Sequence, residues 1–251
     1  MDNSVDEAPE PLSRQERREE RRREKESEKK SHATKRALRR VFNWSIVFAL
    51  IAASVYGMFT LATSGGGSGA LREPITANDH IKGKTDSQIV LVEYADFQCP
   101  ACKAYFGILK TVEKEYGDRV AFVYRHFPLT QHLNADTAAQ AAEAAGKQGK
   151  FWEMHDKLFE SQDMWASLSA KEAENVFNGY AAGLGLDAVR FKADIISDEI
   201  TERIDNDFKS GLQSGVNGTP TFFLQGIKVQ NSQTYDEFKQ LLDGALGEPS
   251  Q

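Results

Sequence analysis

Apolar runs and helical periodicity divide the second half of the chain into strands and helices. The stretch SQIVLVEYADF is rich in apolar and β-branched residues, which is typical of a buried strand. From Cys99 the apolar residues recur at helical spacing up to Tyr116, and Gly117 follows as a stop. RVAFVYRHFP, residues 119–128, is a second strand. The order strand, helix, strand predicts a parallel pair joined by a right-handed crossover.

About ninety residues with helical patterns follow the second strand. NADTAAQAAEAAGKQG has an alanine-rich face with Asn134 as its cap, and GKFWEMHDKLFESQ comes next. A helix over Ser169–Gly183 opens with a capping-box pattern that pairs Ser169 with Glu172, and a helical segment over 187–214 closes the block. TPTFFLQGIKVQ predicts two short strands around a glycine, and TYDEFKQLLDGAL a terminal amphipathic helix. Together these elements predict a divided α/β domain.

An uncharged apolar segment, Val41–Ala62, precedes this domain. Its 22 residues would span about 33 Å as a helix, enough to cross the core of a bilayer. The residues just before it, KKSHATKRALRR, hold six basic side chains and no acidic one, which keeps that side in the cytoplasm and sends the rest across. We therefore expect an uncleaved single-pass anchor. A cleaved signal peptide is the alternative, but the leader of forty residues is far longer than such peptides have.

This anchor sets the domain boundaries and the location that we expect. Residues 1–40 would be a charged cytoplasmic tail, residues 63–73 a Gly/Ser linker that begins with a flexible tether, and residues 74–251 an extracytoplasmic domain. That domain would lie in the periplasm or at the cell exterior, held to the cell membrane by contact of Val41–Ala62 with the lipid bilayer.

Composition and charge limit the classes of partner. The chain has 40% hydrophobic residues, enough for a sizeable core, and a net charge of −6. Residues 1–40 hold 13 Lys/Arg and 10 Asp/Glu, whereas residues 63–251 hold 18 and 27. Interleaved acids nearly cancel the field of the basic tail, so we expect no nucleic-acid partner. Nothing in the sequence indicates a metal, a nucleotide or an organic cofactor.

Cys99 and Cys102 are the only cysteines in the chain and lie within one helical turn. A disulfide between them closes almost no loop and restricts the unfolded chain little, so a structural role is disfavoured. Cys99 lies where the strand ends and the helix begins, and free N–H groups there stabilise a thiolate. Pro100 falls at the first helical position, which tolerates proline best. We predict that Cys99 is the exposed, low-pKa attacking or leaving sulfur and that Cys102 is the more buried resolving thiol.

Two other interpretations of the cysteine pair are half of a zinc site and an inert local disulfide. The chain has no second cysteine pair, and the histidines at 126, 132 and 155 do not fall in a tight ligand pattern. A C-x-x-C motif beside a strand–helix–strand unit is typical of redox sites. We therefore favour redox chemistry.

Glu93 interrupts the apolar strand six residues before Cys99. A buried carboxylate without an ion-pair partner has a raised pKa and could accept the proton of Cys102, whereas a residue at the strand edge would point to water. The sequence leaves both open. Asp96, nearer the turn, is expected to be exposed or to act as a cap.

A proline after a threonine, Thr219–Pro220, begins the apolar strand TFFL and removes a donor from the sheet ladder. A cis bond would explain this proline, in a turn whose backbone faces the cysteines and pairs with an extended substrate. A trans proline on an edge strand is the alternative.

Four segments in order, VEYADFQCPAC, YRHFPL, AAEAAGKQGKFWEMHDKLF and GVNGTPTFF, resemble the DsbA-like thiol–disulfide oxidoreductases of the thioredoxin superfamily. The resemblance runs from about Pro74 to Leu246. It implies an α/β thioredoxin-like fold with an inserted helical domain at about 129–215, preceded here by a single transmembrane helix. The best-known DsbA has a histidine where this chain has Ala101, so the resemblance also implies a less stabilised thiolate.

The resemblance also implies roles for the site residues. It identifies Cys99 as the nucleophile, Cys102 as the resolving thiol and Glu93 as the buried acid. It makes Pro220 a cis proline, which places Thr219 and Pro220 at the substrate.

We hypothesise that the chain is a membrane-tethered thiol–disulfide oxidoreductase acting on the thiols of exported proteins or peptides, as an oxidase. A membrane redox partner would restore the pair. A disulfide reductase or isomerase on the same scaffold is the alternative, because the direction depends on redox potential and partner. From a different class, a non-catalytic tethered peptide-binding or chaperone module would carry an inert local disulfide.

Overall fold

The computed structural model describes residues 69–247 and follows the predicted alternation of strands and helices. The elements within that range are β1 His80–Gly83, β2 Val90–Ala95, α1 Pro100–Tyr116, β3 Ala121–His126, α2 Ala135–Gly146, α3 Phe151–Glu160, α4 Gln162–Trp165, α5 Ala170–Gly183, α6 Ala188–Asp194, α7 Asp198–Gln213, β4 Thr221–Leu224, β5 Ile227–Lys228 and α8 Tyr235–Leu246. Strand β1 is absent from the prediction, because its four residues, HIKG, are half-buried or exposed and form no apolar run.

The strands of this range form one sheet in the order β1-β3-β2-β4-β5. Strands β2 and β3 are parallel, as predicted, and pair from Val90 opposite Ala121 to Ala95 opposite His126. The other neighbouring pairs, β1–β3, β2–β4 and β4–β5, are antiparallel. The central place of β2 explains its nearly continuous apolar sequence, since both of its faces are covered.

The side chains of β2 alternate between two differently covered faces. Val92 and Tyr94 belong to the core cluster on one face of the sheet. On the other face, Leu91 lies in the cluster that α1 and α8 cover, and Ala95 lies in the cluster beneath the helical insertion. Glu93 stands between Leu91 and Ala95, so its side chain is directed to the face that α1 covers.

The helices α2–α7 are inserted between β3 and β4, as the predicted helical block requires. Alanines of α2 are fully buried, which allows close packing against α3, α5 and α7. The segment predicted as one helical stretch over 187–214 forms two helices, α6 and α7, separated at residues 195–197. The mixed α/β class with an inserted helical block, as predicted from the sequence, is confirmed by this element order and sheet.

Two predicted helix caps have different outcomes. The capping box of α5 is confirmed, because the Ser169 side chain accepts from the Glu172 N–H while the Glu172 carboxylate accepts from the Ser169 N–H. Asn134 precedes α2, but the prediction of a side-chain cap there is wrong. Its amide instead donates to the carbonyls of Trp165 and Leu168, at 3.3 and 2.9 Å.

The part of the predicted linker that the structure describes is bound to the edge of the sheet. The Lys228 N–H donates to the Gly69 carbonyl at 2.6 Å, and the Leu71 N–H donates to the Gly226 carbonyl at 2.7 Å. The predicted tail, the anchor Val41–Ala62 and linker residues 63–68 lie outside the described residues. Among residues 69–247, none of the helices combines the length and the apolar character needed to cross a membrane.

Candidate active site

The turn between β2 and α1 carries the cysteine pair. Cys99 is the residue before the helix and has an extended backbone, and Pro100 occupies the first helical position, as predicted. Proline lacks an N–H, and the N–H at this position has no partner within a helix, so Pro100 starts the helix without a lost hydrogen bond. The Cys99 N–H donates to the Asp96 carbonyl at 3.1 Å, which closes the turn.

Both cysteines are free thiols with unequal burial. Cys99 is 7% exposed and Cys102 is 0% exposed. The sulfur of Cys99 is therefore more covered than the sequence analysis expected, because the helical insertion packs over the turn. The predicted order is correct, since Cys102 is the more buried of the two.

The surroundings of Cys99 stabilise its thiolate. A hydrogen bond from the Cys102 thiol is the largest cause that lowers the pKa of Cys99 from 9.0 to about 5, against an opposing effect of burial. The hydroxyl of Thr219 and the N–H groups of Cys102 and Ala101 lower it further. Hydrogen bonds to the charged form of a group favour that form, and the first turn of a helix supplies such donors.

Thr219 contacts this sulfur through two groups with opposite effects. Its carbonyl accepts a hydrogen bond from the Cys99 thiol at 3.5 Å, which favours the protonated form. Its buried hydroxyl has no other hydrogen-bond partner within residues 69–247, so it is free to donate to the thiolate.

The pKa of Cys102 is shifted in the opposite direction to that of Cys99. Burial is the main cause that raises its pKa well above 9.0, and the hydrogen bond that it gives to Cys99 adds to this effect. The negative charges of Glu93 and Cys99 raise it further. At neutral pH the reduced pair is therefore one thiolate, at Cys99, and one thiol, at Cys102.

The sequence left two alternatives open for Glu93, a buried acid and a strand-edge residue that points to water. The structure agrees with the buried acid. Burial raises its pKa to about 8, and the charges of Glu113 and Cys99 add to this. Its side chain is half-buried and lines a cavity of about 20 Å³ beneath α1, together with Glu113 and Tyr124.

The Thr219–Pro220 peptide bond is cis, so that prediction is confirmed. The register of β4 beside β2, with Thr221 opposite Tyr94, brings the turn that precedes β4 to the end of β2 that carries the cysteines. The 3.5 Å contact between Thr219 and Cys99 joins residues 120 positions apart in the chain. The two sequence signals, C-x-x-C and the Thr-Pro step, therefore meet in one place.

Asp96 is buried at 2% exposure, so the expectation of an exposed side chain is wrong. Its carboxylate accepts from the Gln98 N–H at 2.7 Å, from the Leu129 N–H at 2.8 Å and from the His132 ring at 2.7 Å. The alternative of a helix cap is wrong as well, because the bond to Gln98 lies within the turn and α1 has no side-chain cap. The two other bonds tie the cysteine turn to the loop after β3, and no local pattern of residues indicates them.

Gln162 is a site residue that no sequence pattern indicates. This residue of α4 is 3% exposed, and its side-chain amide donates to the carbonyls of Phe97 and Cys99 at 2.7 and 3.0 Å. A glutamine within a run of helical residues gives no signal of such a contact.

A thioredoxin family model matches residues 76–244. The chain belongs to this thioredoxin family. Solved structures similar to this chain match about two thirds of its length. A thioredoxin-like oxidoreductase from Silicibacter pomeroyi is 26% identical, with a TM-score of 0.58 over 69% of this chain and 95% of that chain. BdbD from Bacillus subtilis, at 23% identity, has a TM-score of 0.61 over 71% and 98% of the two chains.

Curated relatives match the same thioredoxin part and are much longer. The Na(+)/H(+) antiporter NhaA of Herminiimonas arsenicoxydans is 42% identical over 154 residues, which is 61% of this chain and 23% of that protein. NhaA 1 of Mycolicibacterium gilvum is 37% identical over 153 residues, again 23% of its length. The chain thus spans about a quarter of the length of the curated relatives it matches.

The family and the geometry agree on the class of enzyme. A low-pKa thiol beside a buried thiol, at the start of the first helix of a thioredoxin fold, performs thiol–disulfide exchange. The thioredoxin-family chain is a thiol–disulfide oxidoreductase. The family and the geometry therefore favour catalysis over the alternative of a non-catalytic module with an inert disulfide.

Proposed function

We propose that this thiol–disulfide oxidoreductase is an oxidase that introduces disulfides into exported proteins or peptides. The unequal acidity of the two thiols supports the direction. A thiolate at Cys99 with a pKa of about 5 stabilises the reduced pair, and a stabilised reduced form makes the oxidised form a strong oxidant.

In the first step a substrate thiolate attacks the Cys99 sulfur of the Cys99–Cys102 disulfide. The bond between the two cysteines breaks, a mixed disulfide forms between substrate and Cys99, and Cys102 leaves as a thiolate. Because the pKa of Cys102 is raised well above 9.0, this thiolate takes up a proton. Glu93, whose pKa is about 8, holds a proton at neutral pH and supplies it.

In the second step the other thiolate of the substrate attacks the substrate sulfur of the mixed disulfide. Cys99 leaves as a thiolate, which its low pKa favours. The substrate loses two electrons and becomes a disulfide, and the cysteine pair gains them. Reoxidation reverses the pattern: Cys99 attacks a disulfide of an oxidant, Glu93 accepts the proton of Cys102, and Cys102 resolves the bridge.

Two features support an unfolded peptide chain as the substrate. The turn at Thr219 and Pro220 lies against Cys99 and offers backbone groups for pairing with an extended strand. Two exposed apolar side chains, Leu133 at 69% and Met164 at 70%, lie close in the chain to Asn134 and Ala166, whose backbone groups bond to the Gln98 side chain in the cysteine turn. Such side chains suit the apolar segments that unfolded chains expose.

The location and the partner belong to the same proposal. The uncharged segment Val41–Ala62 and its basic flank support a membrane anchor with the catalytic domain outside the cytoplasm. An oxidising compartment suits a chain whose only cysteines are the reacting pair. A disulfide-bearing or quinone-linked membrane partner would remove the electrons. To test this location, protease is added to intact cells whose outer layer is permeable to it. Digestion of the domain supports the proposal, and protection of the domain would contradict it.

The test of the reaction uses the full chain, oxidised, with a reduced peptide that carries two thiols. Wild type should convert the peptide to its disulfide form, and one cysteine pair should be reduced for each peptide disulfide formed. Cys99→Ser should abolish this. Cys102→Ser is given the oxidised form of the same peptide instead: its Cys99 thiolate should attack the peptide disulfide, release one peptide thiolate and retain a mixed disulfide, because no second thiol of the enzyme resolves it. Equilibration with glutathione decides the direction: a pair that stays reduced against oxidised glutathione supports the oxidase, and a pair that glutathione leaves oxidised contradicts it in favour of a reductase.

A further inference from the structure

The helical insertion contacts the cysteine turn through a buried amide. Both hydrogens of the Gln162 side-chain NH₂ group are used, one on the Phe97 carbonyl at 2.7 Å and one on the Cys99 carbonyl at 3.0 Å. These two carbonyls lie on either side of Gln98, immediately before α1. Gln162 is 3% exposed, so no water replaces the amide without rearrangement.

Gln98 makes the reciprocal contact from the turn to the insertion. Its side-chain NH₂ group donates to the Ala166 carbonyl at 2.7 Å, and its side-chain oxygen accepts from the Asn134 N–H at 2.6 Å. Four hydrogen bonds therefore join residues 97–99 to the insertion. We call this set the glutamine clamp. No step of thiol–disulfide exchange consumes any of these groups.

The position of the Cys99 sulfur depends on this stretch of backbone. The N–H groups of Ala101 and Cys102 stabilise the thiolate only when the sulfur lies at the mouth of α1. The Cys99 carbonyl accepts from Gln162 and also from the Lys103 N–H at 3.1 Å, which is the first hydrogen bond of the helix. The clamp therefore acts on the peptide unit that joins the strand to the helix.

We propose that Gln162 is a positioning residue that holds the Cys99 sulfur against the N–H groups of the first turn of α1. It acts through the Phe97 and Cys99 carbonyls, the two groups to which its side chain donates. The inference concerns the thiol pair itself, and it holds whether the enzyme oxidises or reduces its substrate.

The test is Gln162→Met in the full chain, a substitution of similar length and shape that removes both donors. We expect the pKa of Cys99, followed by thiolate absorbance in the reduced protein, to rise by about one unit. Because each unit corresponds to a tenfold change in the thiolate equilibrium, the equilibrium with glutathione at neutral pH should shift about tenfold toward the oxidised pair. A residue with only a structural role would lower the unfolding midpoint and leave both readouts unchanged.

Gln148→Met is the matched control. Gln148 also lies in the insertion, and its side chain likewise bonds to backbone, at the N–H and carbonyl of Asp187. It should leave the pKa of Cys99 and the glutathione equilibrium at wild-type values. An equal shift in this control, or a folded Gln162→Met protein with wild-type values, overturns the inference.

Gln98→Met carries the test if Gln162→Met does not fold. It removes the other two bonds of the glutamine clamp and should shift the same two readouts in the same direction. Wild-type values in that variant overturn the inference as well.

Discussion

The low pKa of Cys99 predicts that the reduced protein gains stability as the pH rises, and that Cys99→Ser removes this gain. The pKa of Cys99 is lowered from 9.0 to about 5 in the folded protein. Between these two values the folded state has lost the proton while the unfolded chain still holds it, so stability rises with pH. The contribution is complete above the unfolded value, and it is lost as the pH falls through the folded value.

The size of the effect follows from this window. Each pH unit between the two pKa values is worth about 1.4 kcal/mol. Neutral pH lies about two units above the folded pKa, so the thiolate contributes about 3 kcal/mol to the free energy of unfolding there. That is a large part of the stability of an ordinary domain, which is about 5–15 kcal/mol. Serine has nearly the same shape and does not ionise in this range, so the variant has no such contribution.

The assay is denaturant unfolding of the full chain, wild type and Cys99→Ser, both kept reduced, at several values from about pH 5 to about pH 8. The difference between the two free energies of unfolding should grow steadily across this range. Glu93 titrates in both proteins, so most of its contribution cancels. A difference that stays constant with pH refutes the reasoning, because it means that the Cys99 thiol keeps its proton in the folded protein.

Two other substitutions test the buried parts of the structure. Relative to wild type, Glu93→Gln should become increasingly stable between the ordinary pKa of 4.5 and the folded value of about 8, because in that window the unfolded wild-type chain releases a proton that the folded protein retains. Thiol–disulfide exchange through Cys102, followed by stopped flow, should slow by about 10²-fold. An unchanged pH profile contradicts both expectations. Gly211→Ala places a methyl group 2.7 Å from the Phe127 ring, so it should lower the free energy of unfolding by about 1–3 kcal/mol. Gly179→Ala, which meets nothing within 4 Å, is the helical control and should stabilise by up to about 1 kcal/mol, so equal losses in both glycine variants would contradict the packing argument.

Much of the fold can be predicted from single elements of the sequence. The apolar run of β2, the capping box of α5 and the stop after Tyr116 all agree with the structure, because each depends on residues within one element. The errors fall where an element has no pattern of its own. Strand β1 is short and mostly half-buried, so only its pairing with β3 makes it a strand.

The candidate site divides in the same way. The cysteine pair and Pro100 could be placed at a helix start from their spacing, since the helix terminus itself supplies the donors. The burial of Asp96 could not, because its partners Leu129 and His132 come from a loop more than thirty positions away. The direction of Glu93 also remained open, since alternation in a strand defines two faces but not which one a helix covers.

The sequence by itself determined that two neighbouring thiols lie at the mouth of a helix, because helix starts, proline and strand periodicity act over a few residues. Only the tertiary structure decided how those thiols differ. The contact of Thr219 with Cys99 spans 120 positions of the chain, and that of Gln162 spans 63. Such contacts depend on how the sheet, α1 and the helical insertion pack together. Burial by that packing raises the pKa of Cys102 and Glu93, whereas hydrogen bonds lower the pKa of Cys99.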